Sequence, residues 1–159
     1  EFDLVGDIHS FGHDIEATWL MDLACDTLGD EELKKQFAEM DLKISHNIQN
    51  IALDNGALNN ERENDKIDKK RVWWVEAESV VGFINAYQHS GEKKFLESAR
   101  SVWEYIKAEM IDKREGSEWY AEVSYDHKPH DWKEIVGPWK CPYHNGRMCM
   151  EVINRGVDF

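Results

Sequence analysis

The sequence predicts an all-α fold of antiparallel helical hairpins, and three observations predict it. Apolar residues recur at helical steps of three and four along most of the 159 residues. The connections between these periodic runs alternate between very short and very long. Glycine and aspartate stand where helix ends and helix starts belong.

Ile15, Trp19, Leu20 and Leu23 mark a first helix, closed by Leu28-Gly29-Asp30. Gly29 suits a left-handed C-cap, and Asp30 can cap the helix that follows. The second helix carries Leu33, Phe37, Met40, Ile44, Ile48 and Ile51 at steps of four, three, four, four and three, one face of a long amphipathic helix. Trp73, Ala77, Val80, Val81, Ile84 and Tyr87 form the third, which runs through Ser90-Gly91-Glu92 into a fourth bearing Phe95, Ala99, Val102, Trp103, Ile106 and Met110. A fifth begins near Tyr143 and carries Met148, Val152 and Ile153.

About 18 residues (54–71) separate helices two and three, and about 30 (112–141) separate helices four and five, well beyond the usual ~4–6. Short turns between antiparallel helices lie at one end of a bundle. The long loops therefore gather at the other, at the N-termini of helices one, three and five. Long loops commonly carry function. Glu118 to Ser124 alternates like a strand before a turn at Asp126 to Pro129, so small hairpins are expected in these loops. The charged stretch Asn59 to Lys70 reads as a solvated loop or hairpin.

Composition narrows the function. Lys and Arg number 19 against 32 Asp and Glu, a net charge of −13, which argues against nucleic acid or an anionic membrane surface as partner. No apolar run approaches the roughly 18 residues of a membrane span. With 42% hydrophobic residues the chain can bury a core as one domain, 1–159. It opens at Glu1-Phe2-Asp3-Leu4 without methionine or leader, so a processed or cut piece is expected. Cys25, Cys141 and Cys149 fit neither a disulfide framework nor a metal knuckle, and a reducing, cytoplasmic setting follows.

Three clusters fall at the long-loop end. In Ser10-Phe11-Gly12-His13-Asp14-Ile15-Glu16, His13 and Glu16 share a helix face, so the carboxylate either tunes the imidazole or merely complements the helix dipole. His9 and His13 have the i, i+4 spacing of a zinc pair, but Ser-Phe-Gly between them leaves His9 in the loop; no metal is expected. In Arg71-Val72-Trp73-Trp74-Val75-Glu76-Ala77-Glu78, neighbouring side chains diverge by about 100°. One of Trp73 and Trp74 therefore faces the core and the other can stack on a ligand, unless both belong to a packing seam; Glu76 and Glu78 diverge likewise. Two prolines stiffen Gly137-Pro138-Trp139-Lys140-Cys141-Pro142-Tyr143-His144-Asn145-Gly146-Arg147-Met148, whose aromatic, histidine and arginine content is ill suited to plain packing. His127 and His130 read as surface residues of a polar turn, and His46 and His89 are left without a role.

These blocks, with Val81-Gly82-Phe83-Ile84-Asn85-Ala86-Tyr87-Gln88, resemble the cellobiose 2-epimerases of the N-acylglucosamine 2-epimerase superfamily. The resemblance extends over the whole chain. It implies an (α/α)6 barrel, of which five helices are the C-terminal portion, the remainder supplying a further histidine and arginine. It also implies C2 epimerisation of the reducing-end glucose of β-1,4-linked disaccharides such as cellobiose, lactose or mannobiose. His13 and His144 would be the acid/base pair, with Glu16 holding His13. Trp139 would stack under the second sugar, while Trp73 or Trp74, Glu76 and Arg147 would line the substrate. No metal or nucleotide cofactor is implied, because the substrate's own carbonyl is the electron sink. Other readings are an N-acylglucosamine 2-epimerase or aldose–ketose isomerase on the same scaffold, a carbohydrate-binding fragment without turnover, and a glycoside hydrolase. The last needs two flanking carboxylates, whereas the clusters centre on histidines.

Overall fold

The computed structural model describes residues 7–159; the abrupt opening Glu1 to Leu4 lies outside them. Five helices form: α1 (Phe11–Leu28), α2 (Glu31–Ile51), α3 (Trp73–Ser90), α4 (Lys93–Tyr105) and α5 (Tyr143–Asn154). Helix α3 packs against the other four, between α1 and α5, while α2 and α4 back this row. Contacts at both ends show that α1, α3 and α5 run the same way. At the N-terminal end the Trp74 ring meets those of His13 and His144. At the other end His89 lies 2.8 Å from Asp22, and Arg155 donates to Asn85 at 2.8 Å.

The expected caps are present. Gly29 and Gly91 adopt φ of 70° and 72°, and Asp30 Oδ1 accepts from the amides of Glu32 and Leu33 at 3.1 and 2.9 Å. Helix α3 is buried on every face from Val75 to Ala86, as befits the middle of a layer. It approaches α1 closely: a Cβ at Gly82 would stand 2.5 Å from Ile15 Cγ1 and 2.9 Å from Ile15 O, so glycine there sets the helix spacing. On α2 the buried line is Asp41, Ser45 and Ile48. The apolar stripe read from sequence is rotated from it, leaving Met40 exposed and Leu33, Phe37, Ile44 and Ile51 half-buried. Helix four departs from expectation at its end, where Ile106–Met110 is a π-helical turn. The wider turn keeps Ile106 and Met110 fully buried, and Met110 O accepts the Tyr120 amide at 2.8 Å.

Short strands organise the long loops: β1 (Ile8–Ser10), β2 (Leu53–Asp54), β3 (Ala57–Leu58), β4 (Glu61–Glu63), β5 (Lys66–Asp68), β6 (Arg71–Val72) and β7 (Glu122–Val123). The charged stretch is a hairpin, β4–β5, and β1 adds to its edge. Asn55 and Gly56, at φ 52° and 83°, turn the β2–β3 hairpin. The chain does reverse at Asp126 to Pro129, with Ser124 N donating to Lys128 O at 2.9 Å. The ladder partner of β7, however, is β6 from the other loop. That pairing ties both long loops together over the N-termini of α1, α3 and α5. No helix among the described residues is long and apolar enough to cross a membrane.

Candidate active site

A cavity of about 520 Å³ opens where the loops meet these N-termini, with His13, Trp73, Trp74, Trp139 and His144 in its wall. His13 is the third residue of α1 and His144 the second of α5. The Trp74 ring stands between them, 4.6 Å from the His13 ring and 5.7 Å from that of His144. It reaches this place because residue 12 is glycine: a Cβ there would lie 2.5 Å from Trp74 Cζ3 and 2.8 Å from Val75 Cγ2. Trp73 turns the other way and is 8% exposed, its buried Nε1 without a partner among the described residues. A second cavity of about 510 Å³ adjoins the first, sharing Trp73, Glu122 and Trp139 and adding Trp132. Trp132 and Trp139 are 74% and 89% exposed.

An ionic cluster lies beside His144. Glu78 Oε1 is 2.7 Å from His144 Nδ1 and accepts from Arg147 Nη2 at 2.7 Å, while Oε2 accepts from Trp19 Nε1 at 3.0 Å. Arg147 also donates to Glu16 and to the Tyr143 hydroxyl, its guanidinium 4.7 and 4.6 Å from the Trp19 and Tyr143 rings. A carboxylate only accepts, so its contact places the hydrogen of neutral His144 on Nδ1 and leaves the lone pair on Nε2. His13 Nδ1 is 2.7 Å from Ser10 Oγ. Burial raises the Asp14 carboxyl above its ordinary value, against the opposing pull of His9 and His13. Glu16, Glu78 and His144 bring ligand atoms within 4.8 Å of one another, and the guanidinium of Arg147 answers their two carboxylates.

His13, His144, Trp73, Trp74 and Trp139 are thus brought together, and three expected contacts are corrected. Glu16 faces Arg147, not His13; the carboxylate on an imidazole is Glu78, on His144. Arg147, expected at the substrate, bridges Glu16 and Glu78. Glu76, also expected there, is fully buried and accepts the Leu58 amide at 3.0 Å. Burial pushes its carboxyl up to about 8, against the Leu58 amide and Arg71. His9 pairs with Asp7 at 2.9 Å. His130 is half-buried on Glu122 at 3.1 Å rather than solvated, and its ring stacks on Trp132. Residues that sequence reasoning passed over are Ser10, Trp19 and Glu78. Glu78 had a signal, since it stands one helical turn after Trp74 on the same face.

Two imidazoles thus face one aromatic-walled cavity from the N-terminal ends of parallel helices in a hairpin layer, and comparison with known proteins places this layer in a family. Residues 5–145 match the N-acylglucosamine 2-epimerase (GlcNAc 2-epimerase) family, and the chain belongs to it. It is similar to the cellobiose 2-epimerase of Ruminococcus albus, 81% identical over 157 residues, covering 99% of this chain and 40% of that protein. Its fold superposes on a sugar epimerase from a ruminal bacterium with TM-score 0.96 at 80% identity, over 99% of this chain and 40% of the other. With the cellobiose 2-epimerase of Bacillus thermoamylovorans the TM-score is 0.89 at 48% identity, over 95% and 38%. The five helices are accordingly part of an (α/α)6 barrel. The chain spans about 40% of the length of the relatives it matches.

Proposed function

We propose that this chain is the C-terminal portion of the barrel of a cytoplasmic disaccharide 2-epimerase, interconverting glucose and mannose at the reducing end of cellobiose, lactose or mannobiose. The observation that carries the reading is the pair of imidazoles, His13 and His144, on one cavity wall with Trp74 between them. Epimerisation at C2 begins with ring opening. One imidazole removes the C2 proton, acidic because it lies α to the C1 aldehyde, and leaves an enediolate. The other returns a proton to the opposite face, and the roles exchange in the reverse direction. His144, its tautomer set by Glu78, presents a basic Nε2. The N-terminal ends of α1 and α5 favour the developing oxyanion.

The adjoining cavity would take the second sugar, stacked on Trp139. The names of the relatives and the two-histidine geometry support this over hydrolysis, since Glu16 and Glu78 share one guanidinium instead of flanking a bond. The test is cellobiose in D2O with the complete enzyme, followed by NMR. Deuterium at C2 with a mannose-type anomeric signal is expected. A ketose signal would point to isomerisation, free glucose to hydrolysis, and either one alone overturns the proposal. The isolated 159 residues are expected to turn over little or nothing.

A further inference from the structure

The loop that brings Trp139 to the cavity contains a buried ammonium. The Lys140 side chain is 7% exposed, and its Nζ pairs with Oε1 of Glu118. Oε2 of the same carboxylate accepts from Asn145 Nδ2 and from the Trp119 amide, both at 2.6 Å. Lys140 adjoins Trp139 in the chain, and Asn145 adjoins His144. One carboxylate therefore grips both the exposed tryptophan platform and the start of the histidine-bearing helix. Lys140 Nζ also stands 5.6 Å from the centre of the Trp73 ring. Glu118 is itself anchored: its carbonyl accepts the Asp112 amide at 3.0 Å, and Trp119 bridges to Ile111 beside the π-helical turn.

We infer that Glu118 is a positioning residue which, through Lys140 and Asn145, fixes the spacing between Trp139, Trp73 and His144. What that spacing serves rests on the epimerase reading. The Lys140 ammonium has little slack, because separating it from the half-buried Glu118 carboxylate strands its charge away from water. The loop and the start of α5 are therefore held in one relative pose, and acid/base geometry is sensitive to shifts of about 1 Å.

The test compares Glu118→Gln with the double variant Glu118→Gln/Lys140→Met. The double variant removes both charges, so no ammonium is stranded and the folding midpoint returns close to wild type. Positioning predicts that in the complete enzyme it still exchanges the C2 proton at least about ten-fold more slowly, with a raised KM for cellobiose. It also predicts displaced His144 ring resonances in NMR spectra of the 159-residue chain. Wild-type kcat and KM with unmoved His144 resonances would mean a purely structural knot and overturn the inference. Absence of C2 exchange in the wild-type enzyme would refute the epimerase reading instead; the His144 resonances then decide the role of Glu118 alone.

Discussion

Gly12→Ala tests whether the site depends on the close approach of α1 to Trp74. In an open helix this change is favourable by roughly 0.5–1 kcal/mol. Here the new Cβ would stand 2.5 and 2.6 Å from Trp74 Cζ3 and Cη2 and 2.8 Å from Val75 Cγ2, while ordinary contact begins at 3.4 Å. The indole must retreat by about 1 Å, and overpacking of this kind costs about 1–3 kcal/mol. Trp74 lies 4.6 Å from one histidine ring and 5.7 Å from the other, so both imidazoles lose their spacer together. A displacement of that size is expected to slow C2 exchange by about 10²-fold. Scanning calorimetry and deuterium exchange at C2 give the two readouts. Gly146→Ala is the control, because a Cβ there meets nothing within 4 Å, and it is expected to be neutral or stabilising. Gly12→Ala with a midpoint at or above wild type and unaltered exchange would refute the reasoning.

Three further outcomes are expected. Glu78→Gln puts an amide where the carboxylate fixes His144 and neutralises Arg147, and C2 exchange should fall by about 10²–10⁴ in proportion to the general-base contribution; activity within about two-fold of wild type would remove Glu78 from the site. Trp139→Ala should raise KM for cellobiose by about two- to ten-fold, since an aromatic platform is worth roughly 0.5–1.5 kcal/mol, while exchange of free glucose changes little; equal loss on both substrates would count against stacking of the second sugar. Glu76 titrates at about 8 when folded against an ordinary 4.5, so across that window the native state holds a proton that the unfolded chain has released. Stability should therefore fall as pH rises from about 5 to 8, by up to ~1.4 kcal/mol per unit. Glu76→Gln should flatten this slope in urea denaturation series, and an undiminished slope would show that another group is responsible.

The helices were legible because their signals are local. Gly29, Asp30 and Gly91 act within one turn of chain, and each sits where its chemistry placed it. The polarity of the bundle was legible too, from loop lengths alone. Glu76 and Glu78 mark where local reading stops. Both follow the paired tryptophans on one helix, and only the neighbours in space, Leu58 for one and His144 for the other, separate a buried loop anchor from a site carboxylate. Glu16 was assigned to His13 for the same reason: three residues on a helix is a visible spacing, whereas the bond to Arg147 spans 131 residues and leaves no trace in the sequence pattern. The π-helical turn has no periodic signature, because its five residues continue the apolar stripe of α4.

The bond from Arg147 to Glu16 also bears on when the site comes into being. Contacts of such separation close late, after their loop entropy has been met by local structure. The α1–α2 hairpin can form early from contacts between neighbouring elements, yet His13 and His144 share no wall until α5 has docked. The closing of one guanidinium over two carboxylates therefore coincides with the moment at which these two imidazoles are brought to one wall.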